Sequence, residues 1–138
     1  MTAGCPDPHI VRNVYEWSNT GEDPDGGAFT DFLAKLNDPV RGAAATPSDV
    51  TGCFAGHCDW RLPTIVELVT ILDCSFGSPC IDPIFGTTHM STFYWSASTS
   101  TVNPIFGWMA EFISGVINGS DFKTGDRAVR AVRAGSCN

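Results

Sequence analysis

The chain of 138 residues predicts an α+β fold: two helices packed on a small antiparallel sheet, with long irregular loops and paired N- and C-terminal strands. Three observations predict it. Apolar residues recur at helical spacing in two stretches of the first half. Short β-rich runs broken by Gly, Asn, Asp and Pro fill the last third. A further β-rich run precedes the first helix, so strands and helices are segregated along the chain rather than alternating. At this length the whole chain, 1–138, reads as one domain able to bury a proper core.

Taken in order, residues 1–9 are an arm rich in Pro and Gly, tied down by Cys5. Residues 9–17, rich in Val, Ile, Tyr and Trp, predict the first strand. Residues 18–27 form a polar turn whose Glu22, Asp23 and Asp25 lack the spacing and terminal glutamate of a calcium-binding EF-hand loop. Phe29, Phe32, Leu33 and Leu36 then recur at helical spacing, predicting a helix over 28–37 that Asp38-Pro39 ends. Residues 39–52 are rich in Ala, Gly and Thr and read as a mobile loop.

The stretch C-D-W-R-L-P-T-I-V-E-L-V-T-I-L-D, residues 58–73, carries the clearest local signal. Trp60 anchors a loop, and Pro63, with fixed φ and no amide donor, suits the entry to a helix. Thr64 and Glu67 have the spacing of a capping box. Ile65, Leu68, Val69 and Leu72 make one apolar stripe. Residues 74–92 are expected to be irregular, with Ile81, Pro83, Ile84 and Phe85 as apolar anchors. Strands are predicted over 93–97, 107–113, 116–122 and 128–134, with tight turns at Ser114-Gly115 and Thr124-Gly125-Asp126. Asn118-Gly119 also reads as a hairpin turn.

Composition excludes some functions. A net charge of −7 and a pI near 4.6 disfavour nucleic acid and anionic membrane surfaces as partners. No apolar window is long enough to insert into a membrane. Six cysteines allow fifteen pairings, which spacing does not resolve. The pairing expected is Cys5–Cys137, Cys53–Cys58 and Cys74–Cys80, and it requires the termini to meet. The rival is a metal site in C-F-A-G-H-C, with Cys53, His57 and Cys58, although no matching second pair of ligands follows. Disulfides point to an exported protein, extracellular or at the cell surface.

The blocks F-A-G-H-C-D-W-R-L-P-T-I-V-E-L, I-D-P-I-F-G, F-Y-W-S-A-S-T, G-W-M-A-E-F-I-S-G and R-A-V-R-A-V-R-A-G, in this order over 29–135, resemble the Lcl C-terminal domain family. That family comprises bacterial domains recognised at the end of a collagen-like adhesin. The resemblance implies a C-type-lectin-like fold, extracellular display, and ligand binding without catalysis, cofactor or metal. It implies scaffold roles for Trp60, Arg61, Trp95, Trp108 and Arg133, with Asp59, Glu67 or Asp82 as partners for the two arginines. It also implies a trimer, though no coiled-coil or collagen-like segment here enforces one. Three departures stand out. Eight Lys+Arg against fifteen Asp+Glu suit a sulfated glycan poorly, and Lys123, Arg127 and Arg130 are the one basic cluster near a candidate loop. The acidic triplets of calcium-dependent sugar binders are missing, Val102-Asn103-Pro104 being the nearest. No collagen-like Gly-x-y segment is present, so a stem is either absent or was cut away.

The function expected is recognition of a glycan or protein receptor on a cell surface, by a bacterial or phage surface protein. Asn103, Asn118, Ser120, Asp121, Lys123 and Arg127, on loops between the late strands, form the expected ligand face. A narrower reading is the variable protein of a diversity-generating retroelement. The reading from another class is a formylglycine-generating oxidase, to which R-A-V-R-A-G-S-C bears a resemblance. That chemistry needs a reactive cysteine pair, and His9, His57 and His89 are too widely spaced to suggest a nucleophile–base arrangement.

Overall fold

The computed structural model describes residues 12–39, 53–89 and 91–135. The arm at 1–9, the Cys5–Cys137 pairing, His9 and residues 40–52 of the predicted loop lie outside the described residues. The element order is β1 (Tyr15–Glu16), α1 (a π-helical stretch Ala28–Leu33 continued by one α-turn, Ala34–Leu36), α2 (Ile65–Val69), β2 (Tyr94–Thr99), β3 (Phe106–Ala110), β4 (Ile117–Phe122) and β5 (Asp126–Arg127). Single 3₁₀ turns at Phe54–Gly56, Cys74–Phe76 and Pro83–Phe85 punctuate the irregular region.

The strands form two antiparallel sheets, not one. β2–β3–β4 is a meander, and β1 pairs with β5 through Tyr15↔Arg127 and Glu16↔Asp126. The predicted pairing of first and last strands is thus present, but among the described residues the first strand shrinks to two residues. The last predicted strand, 128–134, is not continuous either. Leaving β5, the chain bridges Ala128 in parallel to Tyr94 and then Val132 antiparallel to Arg61, changing partner before a ladder can lengthen.

α1 forms because Ala28, Phe32, Leu33 and Leu36 share one buried face, and Phe29 packs edge-on against Trp17 at 5.0 Å. α2 is short but well started. Thr64 Oγ1 accepts from the Glu67 amide (3.2 Å), and Glu67 Oε2 accepts from the Thr64 amide (2.8 Å), the reciprocal capping box the sequence predicts. Glu67 also receives both forks of Arg61, Nη1 and Nη2 at 2.7 Å each. The Ile65 amide donates to Ser98 Oγ (2.9 Å) and the Ala97 amide to the Pro63 carbonyl (2.7 Å), which seat the helix entry on β2.

Two apolar cores lie on opposite faces of the meander. Successive strand residues point to opposite sides, so Trp95 enters one core with Tyr15, Trp17, Phe32, Leu62 and Met109. Its neighbour Tyr94 enters the other with Leu68, Ile81, Ala110, Phe112 and Ala128. Two indoles lock the first core reciprocally: Trp17 Nε1 donates to the Ser96 carbonyl (3.0 Å) and Trp95 Nε1 to the Tyr15 carbonyl (3.1 Å).

Cys53–Cys58 and Cys74–Cys80 are disulfides, as the sequence leads one to expect. On the chain-entropy model such short loops contribute about 2 kcal/mol each. Gly115, at φ 74°, closes the β3–β4 turn directly over the second bridge; a Cβ there would lie 2.9 Å from Cys74 Sγ. The two bridges are consistent with an exported protein, and no helix among the described residues is long and apolar enough to cross a membrane.

Two expectations about this region fail. Ile81 is buried, but Ile84 is 83% exposed and Phe85 is also exposed, so neither anchors the irregular stretch. Asp82 is the reason: its Oδ1 accepts from the Ile84 amide (2.9 Å), capping a turn that aims both side chains outward. Asn118-Gly119 is not a turn. It lies inside β4, where the missing Cβ makes room for the Trp108 ring; a Cβ on Gly119 would approach that ring to 2.5 Å.

Candidate recognition face

β4 is an outer strand of the meander, and Asn118, Ser120 and Asp121 all lie on it. Asn118 Oδ1 accepts from both the amide and the hydroxyl of Ser120, each at 2.9 Å. This local closure accompanies the break in register between Gly107↔Asp121 and Met109↔Asn118, where β4 carries one more residue than β3. Asp121 is ion-paired with Arg127 of β5, Oδ2 to Nη2 at 2.5 Å, which ties the edge of the meander to the two-stranded sheet. Asn103 lies in the β2–β3 turn, accepting from the Ile105 amide (3.2 Å). That turn lies at the Phe106–Phe122 end of the sheet, whereas Asn118 pairs towards the opposite end. The predicted residues thus gather along β4 and β5, with Asn103 apart at one end.

Lys123 does not belong to this face. It is 2% exposed, its Nζ donates to the Glu22 carbonyl (2.9 Å) and lies 3.9 Å from the centre of the Trp17 ring. Burial lowers its pKa, while Glu22 and Asp23 act in the opposite sense. The lysine is drawn inward because a ring and an acidic loop surround its ammonium. That loop is knitted around Asp25, which accepts from the Asn19 amide (2.7 Å) and Ser18 Oγ (3.1 Å), and the Asn19 contact holds its carboxyl below the usual carboxylate range. Arg130 also turns inward, so Lys123, Arg127 and Arg130 make no common basic patch.

The scaffold residues are placed as follows. Trp95 is fully buried, and Trp60 donates Nε1 to the Phe54 carbonyl (3.0 Å) beside the first core. Arg61 pairs with Glu67 and Arg133 with Asp59 (3.2 Å); Asp82 is engaged in its cap instead. Arg61 is nearly half exposed and its fork on Glu67 keeps that carboxyl down at about 2. Trp108 departs from expectation: it belongs to neither core and lies across Gly119 on the outer side of the sheet.

That position reveals what sequence reasoning missed. β3 is regular, so Phe106 and Trp108 point to the same side, opposite Gly107 and Met109. Phe122 pairs with Phe106, the rings 5.0 Å apart and edge to face, and is 56% exposed. Three aromatic side chains therefore share the outer face, while Asn118, paired with Met109, belongs to the opposite side. Phe122 is exposed and Phe106 and Trp108 are only half-buried, because α2 is about 7.5 Å long at five residues, against about 16 Å for β3. Its Leu68 covers Tyr94 and Ala110, and nothing of α2 in either core reaches the other end. Alternation around Gly107 is the signal that could have found them.

Fold and face together define a disulfide-bridged α+β domain with an exposed phenylalanine and two half-buried aromatic rings on one side of its larger sheet. Residues 12–133 match the Lcl C-terminal domain family, and the chain belongs to that family. The search of curated proteins returned no match.

Proposed function

We propose that this domain is a non-enzymatic, extracellular recognition domain of a bacterial or phage surface protein, serving as an adhesin or receptor-binding module. Its scaffold is of the C-type-lectin-like kind, a reading supported by the paired first and last strands and the two helices beside a short meander. The observation that carries the proposal is the exposed Phe122 set against the half-buried rings of Phe106 and Trp108 on one side of the sheet, with the exposed Ser120 on the same strand. A soluble domain gains nothing from such a cluster in isolation, and exposed apolar patches rimmed by polar groups mark interaction sites. Rings that stack and a hydroxyl such as that of Ser120 suit a sugar, which offers apolar ring faces and hydroxyl edges. Recognition without catalysis is supported by Cys53, Cys58, Cys74 and Cys80 being bonded in pairs.

A glycan array probed with the intact protein, with and without chelator, tests this reading. The expected result is binding to uncharged or weakly charged glycans that survives the chelator and falls at least tenfold in Trp108→Ala and Phe122→Ser. Binding that is unchanged in both variants, or that is abolished by chelator, would overturn the assignment of this face.

A further inference from the structure

A cavity of about 510 Å³ opens between α1, α2 and residues 129–132. Phe32, Phe54, Trp60 and Tyr94 contribute to its walls, and no residue of the aromatic face lines it. Its size falls in the range that holds a small organic ligand. Among the described residues, two charged side chains line it, Glu67 and Arg130. Both carboxylate oxygens of Glu67 are already gripped by Arg61, which disfavours a cationic guest.

Arg130 is in the opposite situation. Nη1 donates to the Phe85 carbonyl (3.2 Å) and Nη2 to Thr88 Oγ1 (2.7 Å), while Nε is buried with no hydrogen-bond partner. The guanidinium stacks 5.3 Å from the Tyr94 ring and 5.5 Å from Phe112. Arg61, Arg127 and Arg133 each pair with a carboxylate, yet no carboxylate among the described residues pairs with Arg130. Burial lowers its pKa from the ordinary arginine value. A cation withdrawn from water ordinarily requires an anion to offset the lost hydration. Of the five N–H donors of arginine, the one on Nε is left without a partner here.

We propose that this cavity is a binding site for a small organic carboxylate with a ring or branched apolar body, its charge held near Arg130 and its body against Phe32, Phe54 and Trp60. The site is independent of the surface reading above.

The test is calorimetric titration of the full chain with 3-phenylpropionate, with 3-phenylpropan-1-ol as the uncharged analogue of the same body, and with inorganic sulfate. The carboxylate is expected to bind at least tenfold more tightly than the alcohol, and sulfate more weakly than both. Arg130→Met should bring the carboxylate down to the level of the alcohol, with Arg130→Lys intermediate. Thr70→Trp, at an exposed position of the rim, should weaken both organic ligands, and Phe122→Ser neither. If Arg130→Met does not fold, the Arg130→Lys and Thr70→Trp variants decide. Equal binding of acid and alcohol, sulfate as tight as the acid, no binding at all, or indifference to Thr70→Trp would each overturn the proposal.

Discussion

The two ends of the meander obey different rules. At one end, Tyr94, Trp95, Met109 and Ala110 are buried on both faces, between α1 and the first strand on one side and α2 on the other. At the other, Phe106, Trp108 and Phe122 are covered on one face only, by Gly107, Lys123 and the rim of Trp95. The same kinds of residue occupy both ends, so residue type does not decide burial here. The length of α2 does. Aromatics at the covered end hold the protein together, and those at the other end are left half-buried or exposed.

This contrast can be broken most directly at Trp95. Trp95→Ala should cost about 3–5 kcal/mol, because a fully enclosed indole and its bond to Tyr15 are lost together. Phe122→Ala should remain within about 1 kcal/mol. Urea denaturation of the two variants compares them, and equal losses would abolish the distinction. Gly119→Val comes next. Its side chain displaces the Trp108 ring, at about 1–3 kcal/mol, with a red shift in tryptophan emission and loss of receptor binding.

Lys123→Met sharpens the comparison from the covered side. Losing the contact with Trp17 and the bond to Glu22 should cost about 1 kcal/mol, while receptor binding stays at the level of the parent protein. Thr64→Ala removes half of the capping box and should likewise cost about 1 kcal/mol, seen as a lower midpoint in thermal melts. The smallest effect is one of pH. The Glu67 carboxyl is held at about 2 in the folded chain, below its ordinary value of 4.5. Its contribution is therefore complete above pH 4.5 and fades as pH falls towards 2. Glu67→Gln should flatten this part of the Tm–pH curve, and an unchanged slope would show that the Arg61 fork is not maintained in solution.

Local signals in the sequence were read well where one segment contains the whole cause. The capping box at Thr64 and Glu67 and the apolar stripe of α1 involve residues at most eight positions apart. The two short disulfides are of the same kind. The readings that failed depend on distant partners. Lys123 looks like a surface turn residue until Glu22 and Trp17, a hundred positions earlier, close around it. Asn118-Gly119 carries a good turn signature, yet the ring of Trp108 gives the glycine its use. Of the expected face, Asn118, Ser120, Asp121 and Arg127 do lie together, but Asp121 and Arg127 already hold each other. The aromatic members were hidden because periodicity shows that Phe106 and Trp108 share a side, not that a helix stops short of covering it.

The reciprocal bonds between Trp17 and Trp95 have a kinetic consequence. Each indole reaches a carbonyl about eighty positions away, and β1 finds its partner only in β5. Although α1 packs against it early, β1 therefore has no strand partner among the described residues until Asp126 and Arg127 have been synthesised. Such distant closures slow folding, so maturation of this molecule is expected to await its final strand rather than to proceed from the amino end as the chain emerges.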